Sequence, residues 1–215
     1  MNRRSFLINS AIFLVGCGKM GLSPGDGNGY TTKYWAYGDS ITDGSGVTSY
    51  ARMVADTNGW NLENRSFGGS RIADAEQKTR ALTDSIAYRD VVTILTGYND
   101  MRFVGNDSGE IATYAGHLND ILTHWSNIGC TVYVGNCLTM PAASYSQNSP
   151  YDQGSDAAVT AFNVAIAAEV AKFSNATLVD TSSYDPDTVG YTQVDGVHPT
   201  LIGQEYIRDL FLAEM

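Results

Sequence analysis

From residue 34 onward, short apolar runs alternate with longer segments whose apolar residues recur at helical spacing. The runs Tyr34–Tyr37, Leu62–Arg65, Val91–Thr96, Thr131–Asn136 and Thr177–Asp180 predict strands. The segments Ser49–Thr57, Ile72–Ser85, Ile111–Ile128, Ser155–Phe173 and Thr200–Glu214 predict helices. Five βα units result, the sequence form of a parallel sheet flanked by helices. Sites in open α/β sheets lie beyond the carboxyl ends of the strands, so chemistry is sought in the residues that follow each run.

The first 33 residues break this pattern. Residues 1–17 hold two cations, Arg3 and Arg4, then a short apolar stretch and small residues ending at Cys17, the layout of an export signal. The ending Leu14-Val15-Gly16-Cys17 resembles a bacterial lipobox, which implies lipid attachment at Cys17, and the Arg3-Arg4 surroundings resemble a twin-arginine signal. Residues 18–33 are Gly-rich and aperiodic, as expected of a flexible tether, which leaves 34–215 as one domain. The apolar stretch of the leader is too short for a membrane span. An exported protein, periplasmic or at the cell surface and held to a membrane only through its N-terminus, is the expectation.

The chain has 215 residues, 43% of them hydrophobic, enough for one core. Its 23 acids and 13 bases give a charge of −10; without Arg3 and Arg4 it has 11 bases against 23 acids, or −12. Such an acidic surface does not suit nucleic acid. Of the three cysteines, Cys130 and Cys137 flank a predicted strand that spans roughly 23 Å at about 3.3 Å per residue. A disulfide needs Cα atoms within about 7 Å, so both are expected as buried free thiols. No Cys/His spacing suggests a metal site.

Four clusters stand at the ends of strands: Gly38-Asp39-Ser40-Ile41-Thr42-Asp43-Gly44, Ser66-Phe67-Gly68-Gly69-Ser70, Gly97-Tyr98-Asn99-Asp100 and Asp195-Gly196-Val197-His198-Pro199. They offer a hydroxyl, backbone amides, a side-chain amide, and an imidazole with a carboxylate three residues away. A serine hydroxyl needs a base to become nucleophilic, and imidazole is suited to that work near neutral pH. A carboxylate on the second ring nitrogen would fix the tautomer. The N–H groups of Ser40 and Gly69 and the Asn99 amide are candidate donors to a tetrahedral oxyanion. Each piece alone has an ordinary reading: Ser40 as a turn or cap residue, and Asp39, Asp43 and Asp100 as carboxylates bonding local backbone. His117 and His124 fall seven apart on one face of a long helix, away from the strand ends.

In this order and spacing, the four clusters resemble the SGNH hydrolases, the GDSL-like esterase and lipase family, over roughly residues 34 to 214. The resemblance implies a three-layer α/β/α sandwich around a five-stranded parallel sheet, of flavodoxin-like type, and a serine esterase working without metal or organic cofactor. It makes Ser40 the nucleophile, His198 the base and Asp195 the acid, with Ser40, Gly69 and Asn99 forming the oxyanion hole. Counting five residues on from Asn64 selects Gly69 over Gly68. Ile41 stands where the family usually has leucine.

Two other motif matches lack their structural context. Gly21-Leu22-Ser23-Pro24-Gly25 fits a nucleophile elbow but lies in the tether, and Gly44-Ser45-Gly46-Val47-Thr48-Ser49 lacks the third glycine of a dinucleotide fingerprint. The loop 138–155, with Tyr145 and Tyr151 among amides and hydroxyls, suits sugar rings, and no large apolar lining for a long acyl chain is evident. Short acyl esters, acetyl above all, on a small molecule or polysaccharide are therefore the expected substrates. Lysophospholipase, arylesterase and thioesterase activities are alternatives within the family. A non-catalytic glycan-binding module on the same scaffold is the alternative outside it. Oligomeric state is not legible.

Overall fold

The computed structural model describes residues 31–72 and 74–215; the segment 1–17 predicted as an export signal, with Cys17, and residues 18–30 of the Gly-rich segment lie outside the described residues. Five strands, β1 (Lys33–Gly38), β2 (Asn61–Asn64), β3 (Val91–Leu95), β4 (Thr131–Gly135) and β5 (Ala176–Val179), form one parallel sheet in the order β2-β1-β3-β4-β5. β1 begins at Lys33, one residue inside the predicted tether, because Lys33 pairs with Asn61. The β-branched run of β3 is buried at all five positions, as a central strand covered on both faces should be. β2 and β5 at the edges are half-exposed.

Seven α-helices complete the described residues: α1 (Ser40–Asp43), α2 (Tyr50–Asn58), α3 (Ala75–Thr83), α4 (Tyr98–Val104), α5 (Ser108–Ile128), α6 (Asp156–Val170) and α7 (Leu201–Glu214). α2 packs on α7, where the Tyr50 and Phe211 rings stack 4.8 Å apart, while α5 packs against both α3 and α6. Helices on both faces of the sheet make the expected three-layer α/β/α sandwich. Aromatic residues of β1 fill its core without stranding their polar tips. The Tyr34 hydroxyl meets Thr93 Oγ1 at 2.8 Å, Trp35 Nε1 donates to Asp90 and Tyr37 donates to Asp84. Cys130 and Cys137 are buried free thiols, as expected; burial pushes the Cys130 thiol up to about 11.

Two short helices, α1 and α4, stand where the sequence predicted only strand-end turns. Each is too short to show a 3.6-residue period, and α4 carries Asn99 and Asp100 in its first turn, residues that favour turns as much as first helical turns. Gly97 caps α4 in the left-handed conformation (φ +98°), and a Cβ there would sit 2.8 Å from both Cys137 Sγ and the Tyr114 hydroxyl. α3 begins at Ala75, with the Asp74 carboxylate at the preceding position turned back to Arg71, so the predicted start at Ile72 is three residues early.

The sheet register levels the strand ends that matter. Gly38 pairs with Leu95, Leu95 with Gly135 and Gly135 with Val179, so the residues following β1, β3, β4 and β5 emerge along one edge. The chain reverses direction across the sheet between β1 and β3, and Ser40 and Asn99 lie just beyond those two strands.

Two glycine substitutions separate backbone necessity from helix propensity. Gly97→Ala is expected to lower stability by about 2–4 kcal/mol, combining left-handed strain with overpacking. Gly116→Ala, in the exposed middle of α5 with open space around it, is expected to raise stability by about 0.5–1 kcal/mol. Thermal melts of the two variants against the parent chain check both signs.

Candidate active site

Ser40 is the first residue of α1, immediately after β1. Its backbone is set by Asp39, whose Oδ1 accepts from the Ile41 N–H at 2.9 Å and caps the helix. Ser45 Oγ donates to the Ser40 carbonyl at 3.0 Å, closing the turn behind it. Gly69 lies in the loop after β2 and adopts φ +73°, whereas its neighbour Gly68 does not take up the left-handed conformation. A Cβ on Gly68 would lie 3.9 Å from that of Ser40, so both glycines border the same space. Neither the Ser40 nor the Gly69 N–H has an acceptor among the described residues, which leaves both amides available to a ligand.

His198 arrives from the far edge of the sheet. The segment between β5 and α7 turns back over the strand ends and is pinned at several points. Tyr98 on α4 donates to the Val197 carbonyl at 3.2 Å, Gln193 Nε2 donates to the Ser45 and Pro199 carbonyls, and Gln193 N–H donates to the His198 carbonyl at 2.8 Å. At the start of α7, the buried Gln204 accepts from Tyr50 N–H and donates to the Ile41 carbonyl, tying α7 to the two helices that follow β1.

These restraints bring together residues 158 apart in sequence: His198 Nε2 lies 2.9 Å from Ser40 Oγ. On the other side of the ring, His198 Nδ1 lies 2.7 Å from Asp195 Oδ2. Asp195 Oδ1 accepts from the backbone N–H groups of Val197 and His198 at 2.9 and 3.0 Å. Burial alone would raise the Asp195 carboxyl, but the His198 ring and the two N–H groups outweigh it and hold it below the usual carboxylate range. With the Nδ1 proton held by Asp195, Nε2 is free to accept the proton of the Ser40 hydroxyl.

Asn99, the second residue of α4, borders the same space, and its Nδ2 donates to Asp39 Oδ2 and to the Ser70 carbonyl, both at 3.2 Å. The sequence reading assigned Asp39 to local backbone alone. It does bond Ile41 N–H, but it also orients the Asn99 amide, a role that the strand-end position could have suggested and a tripeptide match could not. Burial raises the Asp39 carboxyl to about 6 against the opposing pull of Ile41 N–H, His198 and Arg102. Asp100 Oδ2 accepts from Ile72 N–H, a structural contact. His117 contacts Lys78 on α3 and lies outside the site.

The cleft over Ser40 has a volume of about 440 Å³ and is open to solvent. Of the two loop tyrosines expected to face it, only Tyr151 does, its hydroxyl donating to the Gly69 carbonyl at 3.3 Å. Tyr145 is instead packed into the core, where its hydroxyl donates to Asp156 in the first turn of α6. Arg102, one turn beyond Asn99, also lines the cleft; nothing at the sequence level distinguished it.

A comparison with curated proteins found no match. Solved structures with the same fold include an acetylxylan esterase from Geobacillus stearothermophilus, 19% identical with a TM-score of 0.63, the match covering 90% of this chain and 96% of that one. A lipase/acylhydrolase from Enterococcus faecalis is 17% identical with a TM-score of 0.66, over 86% and 95% of the two chains. The psychrotrophic esterase EstA from Pseudoalteromonas, in a form inhibited by monoethylphosphonate, is 16% identical with a TM-score of 0.62, over 85% and 95%. The model of the GDSL-like lipase/acylhydrolase family matches residues 36–206, a span that runs from β1 through the His198 segment into α7. The chain therefore belongs to the GDSL-like lipase/acylhydrolase family and is a carboxylic ester hydrolase.

Proposed function

We propose that this hydrolase is an exported serine esterase that removes short acyl groups, acetyl above all, from a carbohydrate. The observation that carries the reading is the continuous hydrogen-bonded line from Ser40 Oγ through both nitrogens of His198 to Asp195. Ser40 Oγ attacks the ester carbonyl carbon as its proton passes to His198 Nε2. The resulting oxyanion is held by the Ser40 and Gly69 N–H groups and the Asn99 amide. The carbon–oxygen bond to the alcohol then breaks, and His198 returns the proton to that alcohol. Water attacks the acyl-Ser40 ester, giving its proton to His198, and the acid leaves as the Ser40 hydroxyl is restored.

Asn99 enters this scheme with both Nδ2 hydrogens engaged by Asp39 and Ser70. At 3.2 Å these are long bonds, so the amide is aimed rather than locked, and one hydrogen turns to the oxyanion as charge develops. The acetyl preference rests on a cleft that is open to solvent, bordered by Ser45, Asn99, Asn148, Tyr151 and Val197, with no enclosed tunnel for a long acyl chain, and the acetylxylan esterase among the structural relatives is consistent with it. Export and a lipid anchor rest on the sequence Leu14-Val15-Gly16-Cys17 after Arg3 and Arg4.

Hydrolysis of p-nitrophenyl esters from acetate to decanoate is expected to be fastest on acetate. Ser40→Ala and His198→Ala should each lower kcat/KM by at least about 10³-fold, and Asn99→Ala by about 10²–10³-fold. A fluorophosphonate should label Ser40 alone; an unlabelled protein, silent on every ester, would make the chain a binding module. Loss of detergent partitioning in Cys17→Ala is the expected mark of the anchor, and unchanged partitioning rejects it.

Asp39 gives a prediction of its own. Its carboxyl is raised on folding from the ordinary range to about 6, so the native state favours the protonated form. That contribution is fully present at low pH and is lost as pH rises through about 6. Melting temperatures of Asp39→Asn against the parent, taken from pH 4 to 8, should therefore move in favour of the variant as pH rises and then level off. A difference that is flat across this range would contradict the buried, titrating carboxyl.

A further inference from the structure

Arg102 is the one arginine among the buried residues, 5% exposed. Arg52, Arg65, Arg71 and Arg208 each pair with an aspartate within 4 Å, but Arg102 has no such partner among the described residues. Its Nε and Nη2 are shut off from solvent and lack any hydrogen-bond partner. The guanidinium carbon stands 5.8 Å from the Tyr98 ring and 5.7 Å from the Tyr151 ring, contacts that support a cation without neutralising it. The nearest functional carboxylate, Asp39, feels the Arg102 charge, but its oxygens are taken by Ile41 N–H and Asn99 Nδ2. A desolvated cation with unused donors is costly in a folded protein, and here it borders the cleft that holds Ser40.

We propose that Arg102 is the anchor of a subsite for a carboxylate on the substrate, so that the ester cleaved is carried by a molecule that also bears a carboxylate, as an acetylated uronic acid does. The inference deepens the esterase reading and rests on it. A guanidinium that borders the cleft without a partner of its own suits a carboxylate, which would meet it through the edge that faces the cleft, and a dry setting strengthens that contact. Arg102 follows Asn99 by three residues, about one turn of α4, and both border the cleft that holds Ser40, so a single ligand can span from the Asn99 amide to the guanidinium. The chain carries −10 overall, so long polyanions are repelled, and a single carboxylate would be drawn by the local Arg102 charge and not by the surface as a whole. Tyr151, which reaches from the loop after β4 to the Gly69 carbonyl, sits over both ends of this span.

The test pairs two substrates that differ in one group: a mono-acetylated methyl glucuronoside and the identically acetylated methyl glucoside, with acetate release measured for each. The parent enzyme is expected to favour the uronate at least tenfold in kcat/KM. Arg102→Gln should bring that ratio to about one, and Arg102→Lys, which keeps the charge without the planar fork, should fall between. Glucuronate should competitively inhibit p-nitrophenyl acetate hydrolysis by the parent and lose that effect in Arg102→Gln. A parent enzyme that treats the two sugars alike, or prefers the glucoside, overturns the subsite while leaving the esterase standing. Equal loss on both sugars in Arg102→Gln would make Arg102 a counter-charge to Asp39 and overturn the subsite too. No hydrolysis of either sugar or of p-nitrophenyl acetate would overturn the esterase reading and the subsite together.

Discussion

One hydrogen bond, 2.9 Å between Ser40 Oγ and His198 Nε2, sets the demands that the rest of the structure meets. Its partners leave opposite ends of the chain's topology, one directly after a central strand and the other some twenty residues after an edge strand. A bond of this kind fails if either partner drifts by about an ångström. Ser40 is held by position: β1 is buried between β2 and β3, and the Asp39 cap fixes where α1 begins. His198 has no strand beneath it and is held by attachments. Tyr98, Gln193 and Gln204 tie its segment to the ends of β1 and β3, so the imidazole is referenced to the same two strands as the hydroxyl it serves.

The same two strand ends concentrate buried polarity. Asp39 lies beneath Ser40 with its carboxyl raised toward neutrality, Asn99 bridges it to the loop carrying the glycines, and Arg102 sits one turn further along α4 without a partner. An apolar core around them would be more stable. Polar groups left short of partners are typical of sites whose remaining partner is a ligand, and a site of this kind survives only on a scaffold with stability in reserve. The fully buried β3, the aromatic filling of β1 and the satisfied hydroxyls of Tyr34 and Tyr37 supply that reserve in the sheet beneath the cleft.

Much of this was legible in the sequence for physical reasons. The runs at Val91 and Thr131 had the composition of strands covered on both faces, the long α5 had room to display its period, and Ser40, Asn99, Asp195 and His198 stood beyond strand ends where the sheet concentrates its chemistry. α1 and α4 stayed hidden because seven residues or fewer do not repeat a helical face. Tyr145 and Tyr151 could not be told apart. Their neighbours in sequence are alike, and only tertiary packing separates them, Tyr145 joining the core with its hydroxyl on Asp156 and Tyr151 bordering the cleft. Arg102 was invisible for the opposite reason. A cation on a short polar segment is ordinarily solvated, and only tertiary packing reveals that this one is dry and unpaired.

The position of Arg102 also bears on how specificity divides from catalysis in this fold. Ser40, Asn99 and His198 are set by the sheet and by attachments to its central strands, and in the proposed mechanism they act on any ester carbonyl that reaches them. Arg102 and Tyr151 border the same cleft, the first carried by α4 and the second by the long loop after β4. Because α4 carries both Asn99 and Arg102, a ligand that engages the guanidinium is registered on the helix that also presents the oxyanion amide. Binding at the periphery is then converted directly into alignment at the reacting carbonyl, the most economical route by which remote contacts raise a rate rather than merely retain a substrate.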